Sequence, residues 1–338
     1  MHWLQIVRLE VDAHLEEFFA AKRTETEAIA PPTLELVREV ESLTMRGGKR
    51  LRPALATAGY RCVRPGYGME RLVDVSAALE LLQSYLLIHD DWMDGDEVRR
   101  GGIAVHASLG RHHGDTHLGA ALGILAGDFA STYAWELFLE APYPMQSWPA
   151  AQRLFLRIQK QVYCGQQLDL TGDDDVSRMH ALKTTSYSVR GPLLLGAMLG
   201  NASSLQLDAL SAWAGPIGEA FQIRDDLLGA LSSADQTGKP GMDIVHGKLS
   251  SVVAELRRST RFEERAPVEA VFGNPAAANG ELLAAHACLR ESGVVERLEA
   301  RIRGLRSQAA KEIDGTLFNP QGRDMLDELA DSLTDRQS

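Results

Sequence analysis

The sequence predicts an all-α fold, and three observations carry that reading. Apolar residues recur at three- and four-residue spacing through most of the chain, runs of alternating Val, Ile and Thr are nearly absent, and Gly, Pro and Asn punctuate short connections. The periodicity places helices around 8–28, 33–45, 53–62, 115–139, 149–170, 177–186, 192–200, 204–228, 247–258, 282–290, 293–313 and 321–334. A further stretch, Leu72 to Asp94, is apolar nearly all round and reads as a helix at the centre of a bundle. Two longer connections remain, Pro142 to Pro149 and about Arg261 to Gly280. The second, interrupted by Pro267, Gly273, Asn274 and Pro275, reads as a surface excursion. No solenoid repeat and no low-complexity tract is present, so a single domain over residues 1–338 is the economical organisation.

Composition narrows the function classes. The chain of 338 residues is 45% hydrophobic and 24% charged, the balance of a globular protein with a substantial core. Its formal net charge of -11, with both signs spread along the chain, excludes a nucleic-acid surface, which needs clustered Lys and Arg. An anionic substrate would need a local basic patch or a bound metal. Cys62, Cys164 and Cys288 form no C-x-x-C pair and read as buried free thiols. Glu10, Asp12, Glu16 and Glu17 rule out a signal or transit peptide at the N-terminus, and no apolar run approaches the roughly 18 residues of a membrane span. Cytoplasmic residence is the resulting expectation.

The first chemical signal is HDDWMDGDEVRRG (89–101), where Asp90 and Asp94 lie one turn apart with Asp91 beside them. Carboxylates this close repel, and a divalent cation relieves the repulsion. Oxygen-only ligands favour magnesium over zinc. The alternative is a helix end unwinding into a solvated acidic loop. Gln83 falls on the same stripe of the greasy helix, and Arg99 and Arg100 follow directly, a grouping suited to a diphosphate because guanidinium grips phosphate bidentately. GGKRLRP (47–53) supplies Lys49 and Arg52 after two glycines that admit close backbone approach. FQIRDDLLG (221–229) repeats the acidic logic, with Gln222 on the face of Asp225 and Asp226, so two acidic helix faces could confront each other. KTTSYS adds Lys183 and Thr184, GKP adds Lys239 and GKLSS adds Lys248, with Asp243 between the last two. Asp173, Asp174 and Asp175 read as a solvated helix boundary. His89, His112 and His113 lack ligand partners at convincing spacing and read as structural.

The ordered set GGKRLRP, DDWMD, RRG, GQQLD, KTTSYS, FQIRDD, GKP and GK resembles the trans-prenyl diphosphate synthases of the polyprenyl synthetase type, bacterial geranylgeranyl diphosphate synthases most closely, over about Gly47 to Ser251. The resemblance implies a helical bundle of the isoprenoid synthase type around a deep central cavity, commonly a homodimer, with the aspartate motifs facing each other at the cavity mouth. It implies three magnesium ions per site held by Asp90, Asp91, Asp94, Asp225 and Asp226 on an allylic diphosphate (dimethylallyl, geranyl or farnesyl) that Arg99, Lys183 and Lys239 also contact, with Lys248 serving the diphosphate region. Isopentenyl diphosphate would be held by Lys49, Arg52, Gln83 and Arg100. Thr184 and Gln222 would turn their dipoles toward the carbocation.

Asp128, Gln166 and Asp169 match family positions lining the cavity, or form structural polar contacts. Product length would be set below the first aspartates. Tyr85 lies about 7.5 Å along the helix from Asp90 and is placed to act as a floor, or is ordinary core. Leu86 is not aromatic, and the first motif lacks the two-residue insertion of bacterial farnesyl synthases, so the resemblance implies a C20 rather than a C15 product. The chain departs from the family pattern at Gly229, where many members carry a third aspartate, and at Leu249 and Ser250, where Arg and Thr are common. Those departures keep a non-catalytic subunit as an alternative. A class I terpene cyclase shares the helical bundle and first motif but needs no second diphosphate site.

Overall fold

The computed structural model describes residues 2–66, 69–231, 242–313 and 315–335. Helices make up 79% of the structure, and the strands among the described residues form a single two-residue hairpin. The backbone divides into two units, residues 1–147 with 195–201 and residues 148–194 with 202–338.

The first unit contains α1 (Trp3–Ile29), α2 (Leu34–Met45), α3 (Leu51–Val63), α4 (Val73–Met93), α5 (Val105–His113) and α6 (Thr116–Glu140). The central helix expected at Leu72 to Asp94 is α4, which touches α1, α2, α3, α5 and α6. Residues Val75 to Leu82 are buried without a break. Helix α5 has no counterpart among the expected helices because it shows only Val105 and Leu109 to the core. Its packing rests on glycine instead: a Cβ on Gly119 of α6 would lie 2.4 Å from the Gly110 backbone of α5.

The second unit contains α7 (Trp148–Thr171), α8 (Val176–His180), a π-helical segment Ala181–Arg190, the start of α9 (Gly191–Leu199), whose residues from 195 on belong to the first unit, and α10 (Ser204–Leu231). After a single turn at Met242–Val245 come α11 (Ser251–Ser259), α12 (Phe262–Val271), α13 (Asn279–Glu291), α14 (Val294–Ala310) and α15 (Pro320–Thr334). Helices α10, α11, α12, α13 and α14 share a core built on Ile223, Leu227, Val252, Leu256, Val268, Leu289, Leu298 and Ile302.

Three expectations are corrected. The sequence pattern separates helices at 177–186 and 192–200 at Gly191 and Pro192, yet the chain stays helical from Val176 to Leu199. The π turns widen the helix where a proline would otherwise strike the preceding turn, and the Gly191 N–H donates five residues back to the Ser186 carbonyl. The excursion at 261–280 contains α12, capped by the Glu264 carboxylate, which accepts from the Arg261 N–H at 2.9 Å, and anchored by buried Val268 and Val271. Of the thiols expected to be buried, Cys62 is; Cys164 lies on the exposed face of α7 and Cys288 is half-buried. No described helix is long and apolar enough to cross a membrane.

These contacts separate two kinds of glycine. Gly119→Ala would force Cβ to 2.4 Å from Gly110, and a loss of about 1–3 kcal/mol is expected in urea unfolding. Gly304→Ala, inside α14 with open space around the added methyl, is expected to stabilise by about 0.5–1 kcal/mol in the same measurement.

Candidate active site

In the first unit the candidate residues sit on α4 and on two loops tied to it. Gln83, Leu86, Leu87 and Asp90 are half-buried on the C-terminal half of α4, and half-buried Asp94 caps its end. Tyr85 is also half-buried, its ring edge-on to His89 with centroids 4.9 Å apart. His89 is held in turn by the Ile124 carbonyl at 3.1 Å from Nε2 and packs on Gly127, a structural role as expected.

The two members of the first aspartate pair differ. Asp90 is half-buried, whereas Asp91 is fully buried and accepts from Arg99 Nε at 2.5 Å. Arg99 also reaches Asp96 at 3.2 Å and Asp90 at 3.7 Å. Burial pushes the Asp91 carboxyl up to about 6 against the opposing pull of Arg99, and Asp90 and Asp96 add to the rise. Its second oxygen, Oδ2, is buried without a hydrogen-bond partner.

Arg99 and Arg100 are aimed by the hairpin, in which Val98 pairs with Ile103 and Arg99 with Gly102. The two linking residues, Arg100 and Gly101, both have positive φ, 52° and 70°, the left-handed pair a two-residue hairpin loop needs. Arg46 fastens the hairpin to the end of α2 by donating to the Ile103 carbonyl at 2.8 Å, and only glycine at 102 leaves room for its guanidinium. Burial lowers the Arg100 pKa; Glu80 opposes the fall, while Arg52, Arg50 and Arg99 deepen it. The groups from GGKRLRP and RRG thus form one cationic cluster whose members repel, a place where an anion is favoured.

The sequence pattern did not single out the residue that organises this cluster. Arg50 is 3% exposed, with a left-handed φ of 47°. Its guanidinium donates to Glu80 Oε2 at 2.5 Å, Asp12 Oδ1 at 2.8 Å and the Thr44 carbonyl at 3.0 Å. Turning Arg50 inward sets Lys49 and Arg52 on its two sides, exposed and half-buried respectively. The available signal was Glu80, a carboxylate inside the unbroken buried stretch Val75 to Leu82 of α4, which must have a cationic partner.

In the second unit α7, the π segment and α10 carry the remaining residues. Gly165 brings α7 against the π segment: a Cβ there would sit 2.4 Å from the Lys183 backbone nitrogen. One turn on, Asp169 accepts from Lys183 Nζ at 2.6 Å, while the buried Gln166 side chain has no partner at Nε2. Thr184 is half-buried on the same segment, and Gly218 of α10, one turn before Gln222, closes on neighbouring Thr185. The second aspartate pair repeats the asymmetry of the first. Asp225 is half-buried, whereas buried Asp226 accepts from Gln222 Nε2 at 2.8 Å and from the Ser251 N–H at 2.7 Å, with His180 Nε2 3.7 Å away. Arg224 anchors the helix by donating to Glu299 at 2.6 and 2.8 Å and to the Thr334 carbonyl at 2.6 Å.

Lys248 is half-buried in a loop built around two of the departures from the family pattern. Leu249 packs on the apolar core, and Ser250 caps α11 through the Val253 N–H, the work a Thr would do. Gly247, with φ of 72°, lies against Gly273, so the segment after α12 buttresses this loop. Asp175 caps α8 and Asp173 accepts from Arg178, the helix-boundary role expected of them. Asp128 is exposed on α6. Lys239 lies outside the described residues.

The donors fit magnesium. All five aspartates offer oxygen, and Asp91 keeps a buried oxygen with no partner. Oxygen-only donors of this kind are the ligand set of a hard ion such as magnesium.

A family model described as Polyprenyl synthetase matches residues 34–289. The chain is 32% identical over 255 residues to a short chain isoprenyl diphosphate synthase of Methanothermobacter thermautotrophicus, covering 73% of this chain and 74% of that protein. It is 28% identical over 334 residues to a geranylgeranyl diphosphate synthase of Methanosarcina mazei, covering 97% and 95%. Its fold matches the crystal structure of a Corynebacterium glutamicum geranylgeranyl pyrophosphate synthase complexed with isoprenyl diphosphate and magnesium, with TM-score 0.88, 28% identity and coverage of 99% and 98%.

The inward arginine makes a direct prediction. Arg50→Met leaves Glu80 buried and unpaired, and a loss of about 3–5 kcal/mol is expected in chemical denaturation. Arg50→Met with Glu80→Leu removes both charges and is expected to recover most of that loss.

Proposed function

Because the chain belongs to the polyprenyl synthetase family and is a prenyltransferase, we propose that it condenses isopentenyl diphosphate with an allylic diphosphate to give a linear all-trans product, geranylgeranyl diphosphate. The observation that carries the reading is the Asp91 to Arg99 contact, which joins a carboxylate metal site to a cluster of mutually repelling arginines. A single-substrate cyclase has no use for that second cationic pocket.

In this reading half-buried Asp90, Asp94 and Asp225 would hold three magnesium ions together with the unpartnered oxygen of Asp91 and what the two inward hydrogen bonds of Asp226 leave available. Magnesium bound there would supply Lewis-acid stabilisation of the leaving diphosphate. Arg99 and Lys183, which donate to Asp91 and Asp169, would also contact the allylic diphosphate, with Lys239 and Lys248 serving the same group. Lys49, Arg52, Gln83 and Arg100 hold isopentenyl diphosphate so that its double bond faces the allylic carbon. The allylic C–O bond breaks with its electron pair leaving on diphosphate. The isopentenyl double bond then supplies the pair for the new C–C bond, and the proton lost from the resulting cation passes to the departed diphosphate. Thr184 and Gln222 direct their dipoles to the transient positive charge.

The family's common homodimer suits the surface of α6, where several large apolar side chains stand exposed. Leu118 is 39%, Ile124 37% and Leu125 49% exposed there, and a second copy is the covering proposed. Leu125→Glu is expected to shift the protein toward monomer in light scattering.

The activity is tested by incubating the protein and magnesium with isopentenyl diphosphate and C5, C10 or C15 allylic diphosphates. Linear alcohols are expected after phosphatase treatment, and Asp90→Ala should abolish them. Hydrocarbons from an allylic substrate alone would indicate a cyclase instead, and turnover only on adding another synthase would indicate a non-catalytic subunit. For length control, Tyr85→Ala opens the proposed floor over Leu86 and should lengthen the main product; an unchanged product distribution in an active variant removes Tyr85 from that role.

A further inference from the structure

Sequence spacing offers His112 and His113 no metal-ligand partner, and the fold supplies one from 78 residues away. Both imidazoles stand in the last turn of α5, closed by Gly114 with φ of 66°, and Glu35 stands in the first turn of α2. His113 Nε2 lies 3.0 Å from Glu35 Oε2, and the two imidazole rings pack edge to face with centroids 4.9 Å apart. One ligand atom from each of the three residues falls within 4.8 Å of the other two, and among the described residues no other trio of His, Cys, Asp or Glu does so.

The scaffold under this trio is fixed. One turn along each helix, Ser108 donates to Glu39 Oε1 at 2.7 Å, a second rung between the same two helix faces. Helix α5 is held from its other side by the Gly110 and Gly119 backbones, and Leu109 is buried. The charged and polar groups thus meet across two helices already joined by a second hydrogen bond and by close glycine packing behind α5.

We propose that Glu35, His112 and His113 form a surface site for a divalent transition ion of the zinc class, separate in chemistry from the magnesium aspartates. Two imidazole nitrogens and one carboxylate are the ligand set that borderline ions select and magnesium does not. Three protein ligands leave an open position for water. Ligand atoms around a tetrahedral ion sit roughly 3.4 Å apart at bonds of about 2.0–2.2 Å. The Glu35 to His113 edge is already that short, and rotation of the exposed His112 ring closes the remainder. Bound there, the ion cross-links α2 to α5.

The test uses full-length protein stripped by chelator and then held in excess magnesium, which occupies the oxygen sites. Zinc titration by calorimetry is expected to show one saturable site per chain and zinc is expected to raise the melting temperature. Cobalt in its place is expected to give the visible bands of a nitrogen-ligated, four-coordinate ion. His112→Ala with His113→Ala should abolish binding. Glu35→Gln should weaken it by at least about tenfold, the lower end of what even outer-shell partners are worth. All three residues lie at the surface, so circular dichroism without metal confirms that the variants fold. Absence of saturable zinc binding, or binding unchanged in the double histidine variant, overturns the proposal. None of these readouts depends on prenyl transfer.

Discussion

A helix that must be buried and must also carry charge governs the first unit. Helix α4 places Glu80 and Asp91 in its closed face, where a lone carboxylate costs several kcal/mol. Each is met by an arginine from a loop, Arg50 for Glu80 and Arg99 for Asp91. Electroneutrality inside the unit therefore dictates where both loops sit. Lys49 and Arg52 flank one of those arginines and Arg100 follows the other, so the diphosphate-binding candidates are positioned by charges that themselves face inward.

The second unit solves the same problem with hydrogen bonds and helix shape. Buried Asp226 is satisfied by Gln222 and by the N–H that opens α11, which ties the Lys248 loop to the aspartate motif without a cation. The π segment brings Lys183 and Thr184 onto one widened stretch, and glycines at 165 and 218 let α7 and α10 approach it. In each DD pair one aspartate builds the protein while the other remains half-buried. Two adjacent identical letters thus carry different work, because successive helical side chains point about 100° apart.

Much of this was legible in advance. The all-helical class followed from periodicity, since a bundle reads as a 3.6-residue repeat whatever its topology. The motifs announced themselves because diphosphate and magnesium demand cations, oxygens and glycines in dense local runs. What escaped had no local signature. Helix α5 packs through glycine rather than an apolar stripe, and α12 hides behind a proline that the helix accommodates. Arg50 read as one more basic residue in a basic motif until its burial was visible.

The sequence alone determined the helical class, the two aspartate motifs and the family, because each is written in residues close together along the chain. Tertiary structure alone decided which member of each charged cluster faces inward, and which distant groups meet. Glu80 reaches Arg50 across 30 residues and Glu35 reaches His113 across 78. Burial and long-range pairing are properties of packed surfaces, and a one-dimensional pattern records the need for a partner without recording which partner arrives.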